Sequence, residues 1–149
     1  MIAEDRLAIL DTNVLVHLAR GRAAGRFIDD TLGLSKRPER PLISVVTIGE
    51  IFSLAEQWEW GSGRKDQLTA LLKNVVHVPV HPMVVRRYGE LDSFLIRSGR
   101  RIQQNDVWIA ATASVLGCVL VTTDKDFTVL EEAGLIELCY IDSVSLPKG

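Results

Sequence analysis

Five acidic side chains are spaced along this sequence in a way that could form a metal site. Asp11 ends a short apolar run, Glu50 follows another, Asp106 opens a stretch of small residues, and Asp124 and Asp126 lie in a turn after a third apolar run. Carboxylate oxygens are the ligands that Mg²⁺ and Mn²⁺ prefer, whereas zinc favours nitrogen and sulfur. A site of this kind can activate water and stabilise in-line attack on a phosphodiester.

Each acid taken alone also has an ordinary structural explanation. Asp11 can cap the helix that follows it, and Thr47 with Glu50 makes the pattern of a capping box. Asp106 would interact favourably with a helix dipole, and Asp124 suits a turn. The function therefore depends on whether the fold brings these residues together.

Apolar runs alternate with helical patterns along the whole chain. Runs rich in β-branched residues predict five strands, near 7–10, 42–46, 75–80, 118–122 and 136–141. Amphipathic or small-residue patterns predict the helices between them, including 13–19, 23–35, 48–60 and 65–72. On the stripe of the helix over 48–60, Trp58 is expected in the core and Trp60 off it. This alternation predicts an α/β fold, a three-layer α/β/α sandwich around a parallel sheet.

A parallel sheet would place the acids at one edge. Asp11, Glu50 and Asp124 each follow the carboxyl end of a predicted strand, directly or one turn into a helix, and Asp106 begins the helix that leads into the fourth strand. Ligands of such sheets bind beyond the carboxyl ends of the strands. If the first strand lies between the second and the fourth, the carboxylates converge and repel one another. A divalent cation would offset that repulsion.

Four segments of the sequence resemble the conserved blocks of the PIN domain in order and spacing. They read ILDTNVLV, SVVTIGEI, QQNDVWIAATA and LVTTDKDF, and they are most similar to the VapC-like toxins of type II toxin–antitoxin systems. The resemblance extends over essentially the whole chain. It implies a five-stranded sheet in the order 3-2-1-4-5, an endoribonuclease dependent on Mg²⁺ or Mn²⁺, a homodimer and a cognate antitoxin partner.

The motif match also assigns positions within the predicted site. The acidic positions of the family fall on Asp11, Glu50, Asp106 and Asp124. Thr122 matches a hydroxyl residue at the end of the fourth strand, and Asn13 matches a polar position after the first acid. Asp126 is an alternative to Asp124, although Asp124 is nearer the strand end. Asn105 is not the commonest toxin residue before Asp106, but it fits the wider PIN family.

Composition and charge are typical of one globular domain, expected to cover residues 1–149. Apolar residues make up 47% of the chain and the formal net charge is −2. No apolar stretch has the length of a membrane span, and the first residues lack the regions of a signal peptide. A cytoplasmic protein without a membrane partner is therefore expected.

The net charge does not indicate a nucleic-acid binder, but basic residues form local islands. Arg97, Arg100 and Arg101 precede the helix that carries Asp106, so we expect them to hold the RNA backbone. Lys36, Arg37 and Arg40 form a second island and are an alternative RNA path. A solvated surface is the simpler explanation of either island.

The acid set and the resemblance together predict a metal-dependent endoribonuclease that cuts single-stranded regions of RNA by activated-water attack. Asp11 and Asp106 would contact the metal, and Glu50 and Asp124 would complete its shell. Two alternatives stay open from the sequence: a non-catalytic PIN-like module that binds RNA or protein, and a structure-specific DNA nuclease. An intact acid set favours the enzyme over the binding module.

Overall fold

The strands of the protein are short and the helices are long. A computed structural model describes residues 2–149. The strands are β1 (Ala8–Leu10), β2 (Leu42–Ser44), β3 (Val76–Val78), β4 (Val119–Thr122) and β5 (Glu137–Tyr140). The helices are α1 (Thr12–Arg20), α2 (Ala23–Leu32), α3 (Val45–Gln57), α4 (Ser62–Leu72), α5 (Pro82–Arg97), α6 (Gln104–Leu116) and α7 (Thr128–Glu132). No helix within residues 2–149 has both the length and the apolar character needed to cross a bilayer.

The sheet is parallel throughout and has the order β3-β2-β1-β4-β5. This confirms the predicted α/β class and the strand order 3-2-1-4-5. Ile9 of β1 is in register with Leu42 of β2 on one side and with Leu120 of β4 on the other. Because β1 is the central strand, the residues that follow β1, β2 and β4 become neighbours at one edge.

Two apolar cores cover the two faces of the sheet. Successive side chains of a strand point to opposite faces, so Leu10 packs with the helices α1 to α4 while Ile9 packs with α5, α6 and α7. Both side chains are fully buried. Burial of one such side chain contributes about 1.5–3 kcal/mol. The sheet is thereby clamped from both sides, which holds the carboxyl ends of the strands in place.

Helix α6 lies close against the sheet because its buried face is small. Ala110, Ala111 and Ala113 are all 1% exposed or less. On its other side, Trp108 stacks on Tyr88 of α5 with the ring centroids 4.0 Å apart. The start of α6 is therefore fixed in position, and Asp106 lies in its first turn.

The start of α3 differs from the sequence prediction. Ser44 is the N-cap, and its Oγ accepts a hydrogen bond of 3.1 Å from the N–H of Val46. The predicted capping box of Thr47 and Glu50 is therefore wrong, because the helix begins three residues earlier than expected. Both residues lie inside the helix, where their side chains are available for contacts with other elements.

The end of α3 also differs, and the predicted positions of its two tryptophans are reversed. Trp60 is 7% exposed and Trp58 is 44% exposed. The helix ends at Gln57, so helical periodicity no longer sets the direction of either ring. Glu59 adopts a left-handed φ of 52°, and the Trp60 N–H donates to the Ala55 carbonyl at 2.9 Å. The turn of the backbone at Glu59 directs Trp60 back into the core.

The backbone of Glu59 yields a stability prediction. A residue other than glycine in the left-handed region costs about 1 kcal/mol, so Glu59→Gly should raise the free energy of unfolding by roughly that amount. Urea denaturation of the purified protein measures it. Glu59→Ala is the matched control, because it removes the same side chain without relieving the backbone. Equal stability of the two variants would contradict this explanation.

Candidate functional site

Asp11 is a buried carboxylate at the carboxyl end of the central strand. Its N–H donates to the Val121 carbonyl at 2.9 Å, so the residue is held between β1 and β4. Oδ1 accepts a hydrogen bond from the Thr12 N–H at 2.7 Å, which makes Asp11 the N-cap of α1. Oδ2 accepts from the Thr122 hydroxyl at 2.7 Å. Only 3% of the residue is exposed. The capping role expected from the sequence is therefore present, in a setting that also desolvates the charge.

The Thr122 hydroxyl connects the first acid to the turn after β4. It donates to Asp11 and accepts from the Asp124 N–H at 3.0 Å. Asp124 Oδ1 in turn accepts from the Asp126 N–H at 2.9 Å, which caps the short 3-10 turn Lys125–Phe127. Because Thr122 is fully buried, these contacts fix the position of Asp124 relative to Asp11.

Glu50 is held by a residue that the sequence reasoning missed. The Thr12 hydroxyl donates to Glu50 Oε1 at 2.8 Å and lies 3.3 Å from the Thr47 hydroxyl. Thr12 and Thr47 are both buried between α1 and α3. The available signal was a hydroxyl residue directly after Asp11, but nothing local in the sequence links it to Glu50, 38 positions later. Thr12 thus orients the carboxylate of the second acid.

Burial, together with repulsion from neighbouring carboxylates, raises the pKa of two of the acids. The pKa of Asp106 is raised from an ordinary 3.8 to about 7, first by burial and then by the charges of Asp11, Asp124, Glu50 and Asp126 in that order. The helix dipole expected to favour the charged form of Asp106 is outweighed by burial and by the neighbouring charges, because the net pKa is raised. The pKa of Asp11 is likewise raised, to about 6, and burial is the main cause. The hydrogen bonds from Thr122 and Thr12 lower this pKa, whereas the charges of Glu50 and Asp124 raise it.

The two acids of the turn act unequally on this cluster. Asp124 raises the pKa of both Asp11 and Asp106, whereas Asp126 acts only on Asp106 and has the smallest effect there. Asp126 is also exposed, while Asp124 is partly buried. These differences support Asp124 as the fourth acid, and its functional role stays a prediction.

The chemistry of the cluster fits a divalent cation, although its side chains do not adopt a coordination geometry. Within residues 2–149, no group of three or more acidic, histidine or cysteine side chains has the spacing to hold a metal ion as oriented here. The donors are nevertheless all carboxylate oxygens, which suit Mg²⁺ or Mn²⁺. Burial and neighbouring carboxylates raise the pKa of Asp11 and Asp106, and a bound cation would favour the charged form of both.

The remaining predicted site residues lie around the acids on the surface. Asn13 is exposed in the first turn of α1, next to Asp11. Arg97 ends α5, and Arg100 and Arg101 lie in the connection to α6, all three exposed. Arg100 Nη1 lies 3.9 Å from Glu132 in an exposed pair, and such pairs contribute little to stability. Their assignment to RNA binding stays a prediction.

The alternative basic island has a structural role instead. Arg37 is partly buried and donates hydrogen bonds to the carbonyls of Ile2, Ala3 and Arg6. It therefore ties the N-terminal segment to the chain that enters β2, at the opposite edge of the sheet from the acids. This position makes Lys36, Arg37 and Arg40 a poor RNA path to the acid cluster.

Comparison with known proteins agrees with this fold. The PIN domain family matches residues 8–133. Ribonuclease VapC5 of Mycobacterium tuberculosis is 30% identical over 89% of this chain and 94% of that protein. A chain in the crystal structure of VapBC-5, a toxin–antitoxin system of the same organism, matches with a TM-score of 0.67 and 27% identity, over 91% of this chain and 99% of that one. At 20% identity, the VapBC2 structure from Rickettsia felis shares the fold with a TM-score of 0.76, over 91% of this chain and 99% of that one.

The chain therefore belongs to the PIN-domain family and, within it, to the VapC-like group.

The raised pKa of Asp106 gives a prediction about stability and pH. A pKa of about 7 in the folded state, against 3.8 ordinarily, means that this group's contribution to stability is fully present below about pH 4 and lost as the pH rises through 7. Thermal stability in EDTA should fall over this window. Asp106→Asn should flatten the fall and raise the melting temperature at pH 8 by a few degrees.

Thermal denaturation from pH 4 to pH 8 measures this effect. Asp126→Asn is the control, since that exposed residue has the smallest influence on Asp106, and its pH profile should follow the wild type. An Asp106→Asn protein that melts well below the wild type at pH 8 would show that Asp106 mainly serves as a helix-terminal residue that stabilises α6.

Proposed function

We propose that the protein is a divalent-metal-dependent endoribonuclease that cuts single-stranded regions of RNA and acts as the toxin of a toxin–antitoxin pair. The observation that carries the proposal is the group of four carboxylates at one sheet edge, where the pKa of two of them is raised towards neutrality. Placing four partly or fully buried carboxylates near one another lowers the stability of the metal-free protein. The names of its relatives as VapC ribonucleases support RNA as the substrate.

Mg²⁺ or Mn²⁺ is the cation that fits this donor set. Asp11 and Asp106 would hold it, and Glu50 and Asp124 would complete the shell, partly through water. When bound, the cation supplies a Lewis acid that lowers the pKa of water and stabilises charge on the attacked phosphate. Protons compete with the cation for Asp11 and Asp106 because of their raised pKa values, so metal affinity should fall as the pH drops below neutrality.

The residues around the acids provide positioning. Thr122 orients Asp11 and the turn that bears Asp124, and Thr12 orients Glu50. These hydrogen bonds leave further lone pairs of each carboxylate open. Glu50 and Asp124, which lie on different elements flanking Asp11, would align the attacking water with the phosphate. Prepositioned groups of this kind lower the entropic part of the barrier.

RNA must approach an edge of strong negative charge. Arg97, Arg100 and Arg101 lie on the connection that leads into α6, and we assign them to the RNA phosphates. Neutralising phosphates near the acids offsets the repulsion between cluster and backbone. Asn13 is exposed beside Asp11, and we assign it to a contact with the same RNA strand.

We also propose two protein partners for this chain. The structures similar to it include VapBC complexes, which supports a cognate antitoxin. A homodimer is the second proposal. The exposed apolar side chains Met83, Val85 and Ile96 on α5 supply surface for protein contacts.

A cleavage assay tests the central proposal. The purified protein should cut a single-stranded RNA in Mn²⁺ or Mg²⁺ and stop in EDTA, and Asp106→Asn should lose at least 99% of the activity. Mn²⁺ should also raise the melting temperature of the wild type, because a ligand of the folded state stabilises it by mass action, and should do so less in Asp106→Asn. Cleavage that continues in EDTA and survives every acid substitution would refute the metal mechanism.

The two acids of the turn should differ in the same assay. Asp124→Asn should lower the cleavage rate by at least tenfold more than Asp126→Asn, because Asp124 is hydrogen-bonded to Thr122 and acts on both Asp11 and Asp106. Each substitution replaces a carboxylate by an amide of the same shape, so each is the control for the other. The opposite ranking would assign the fourth position to Asp126.

A further inference from the structure

Two arginines and two tryptophans lie together where α1 and α3 end and α4 begins. The Arg20 guanidinium lies 4.8 Å from the ring centroid of Trp58, and that of Arg64 lies 5.4 Å from the ring centroid of Trp60. The two rings are 6.0 Å apart and tilted by 43°. We call Arg20, Trp58, Trp60 and Arg64 the arginine–tryptophan surface. Trp58 is its exposed ring, at 44%.

The positive charges of this surface have no anionic partner. In the part of the chain that the structure describes, neither Arg20, Arg64 nor the adjacent Arg22 forms a salt bridge. Burial and the charges of Arg22 and Arg64 lower the pKa of Arg20. The Nε atom of Arg20 is buried, and no acceptor within residues 2–149 meets it. By contrast, Arg100 lies within 3.9 Å of Glu132. Within residues 2–149, the charges of Arg20 and Arg64 are therefore not neutralised by a salt bridge with a carboxylate.

The position of the surface relates it to the acid cluster. Both α1 and α3 begin at the acidic edge. Arg20 lies eight residues after Thr12 and Trp58 eight residues after Glu50, which places each about 12 Å farther along its helix. A groove of about 420 Å³ runs along α3 from Val46 to Gln57, the residue before Trp58. Its lining includes Glu50, Leu54 and Gln57 of α3 and Asn105 of α6.

We propose that the arginine–tryptophan surface is a second RNA-binding subsite, at which a base stacks on Trp58 while Arg20 and Arg64 contact the neighbouring phosphates. Aromatic rings combined with guanidinium groups are the usual means of holding single strands without base-specific hydrogen bonds. The subsite rests on the proposed ribonuclease function and extends its substrate path along α3. The exposed ring of Trp58 favours RNA over an acidic protein segment, because a base can stack on the ring whereas an acidic segment would contact only the positive charges.

The test measures RNA affinity separately from cleavage. A fluorescein-labelled 12-nucleotide single-stranded RNA is titrated with protein carrying Asp106→Asn, so that bound RNA is not cut. Trp58→Ala should weaken binding by about tenfold or more, the loss expected for one stacked base, and Trp58→Tyr should restore most of it. Arg20→Gln and Arg64→Gln should each flatten the salt dependence of log affinity by about 0.7.

Matched controls separate the subsite from general effects. Phe52→Ala removes an aromatic ring of similar exposure from another face of α3, and Arg86→Gln removes an exposed positive charge from α5. Both should bind RNA as the parent does. The melting temperature of every variant is measured, and Trp58→Tyr provides the comparison if Trp58→Ala is unstable. RNA affinity that is unchanged in Trp58→Ala, or lowered equally in Trp58→Tyr, would overturn the subsite.

A fluorescein-labelled 12-residue oligoglutamate tests the competing partner. Binding of this peptide as tight as that of RNA, with the same dependence on Arg20 and Arg64, would show a site for acidic protein segments and overturn the RNA subsite. The proposed function fails separately, when the wild-type protein does not cut RNA in Mn²⁺ although Trp58-dependent RNA binding is intact. Cleavage by the wild type without Trp58-dependent binding would reject only the subsite.

Discussion

Asp11 is a carboxylate enclosed almost entirely by protein, and the carboxylates of Glu50, Asp106 and Asp124 are directed towards the same edge. Burying these charges side by side is unfavourable, and the pKa of Asp11 and of Asp106 is raised first by burial and then by the neighbouring carboxylates. Hydrogen bonds from Thr12 and Thr122 stabilise the charge of Asp11 in part. Two apolar cores pack on the two faces of the sheet and hold the carboxyl ends of its strands in position. A cluster held under such repulsion is typical of a site that binds a cation.

The structural and functional explanations of the acids are not alternatives in this fold. Asp11 caps α1 and Asp124 caps the turn after β4, yet both also raise the pKa of Asp106. A capping hydrogen bond uses one lone pair of one oxygen, so it orients the carboxylate and leaves other lone pairs open. Helix N-termini at the carboxyl edge of a parallel sheet therefore provide fixed positions for acidic side chains. Capping then becomes a means of preorganising the site.

Charge is distributed unevenly around that edge, which matters for a polyanionic substrate. The acids concentrate negative charge where catalysis is proposed. Exposed arginines follow α5, and the arginine–tryptophan surface lies where α1 and α3 end and α4 begins. In the proposed function, these basic positions would hold RNA while it passes an acidic edge that repels it. Such an arrangement assigns affinity and chemistry to different residues, so substitutions in one region should leave the other largely intact.

The sequence by itself determined the alternation of strands and helices and, through its four motifs, the family and the acidic positions. Those features are local, since buried strands and amphipathic helices depend on periodicity that a linear chain displays. The tertiary structure decided what local periodicity cannot show. Ser44 caps α3 instead of Thr47 because the strand ends sooner, and Trp60 enters the core because Glu59 reverses the chain. The contact of Thr12 with Glu50 joins residues 38 positions apart. Only packing of α1 against α3 brings these two side chains within hydrogen-bond distance, because neither residue's local pattern specifies its distant partner.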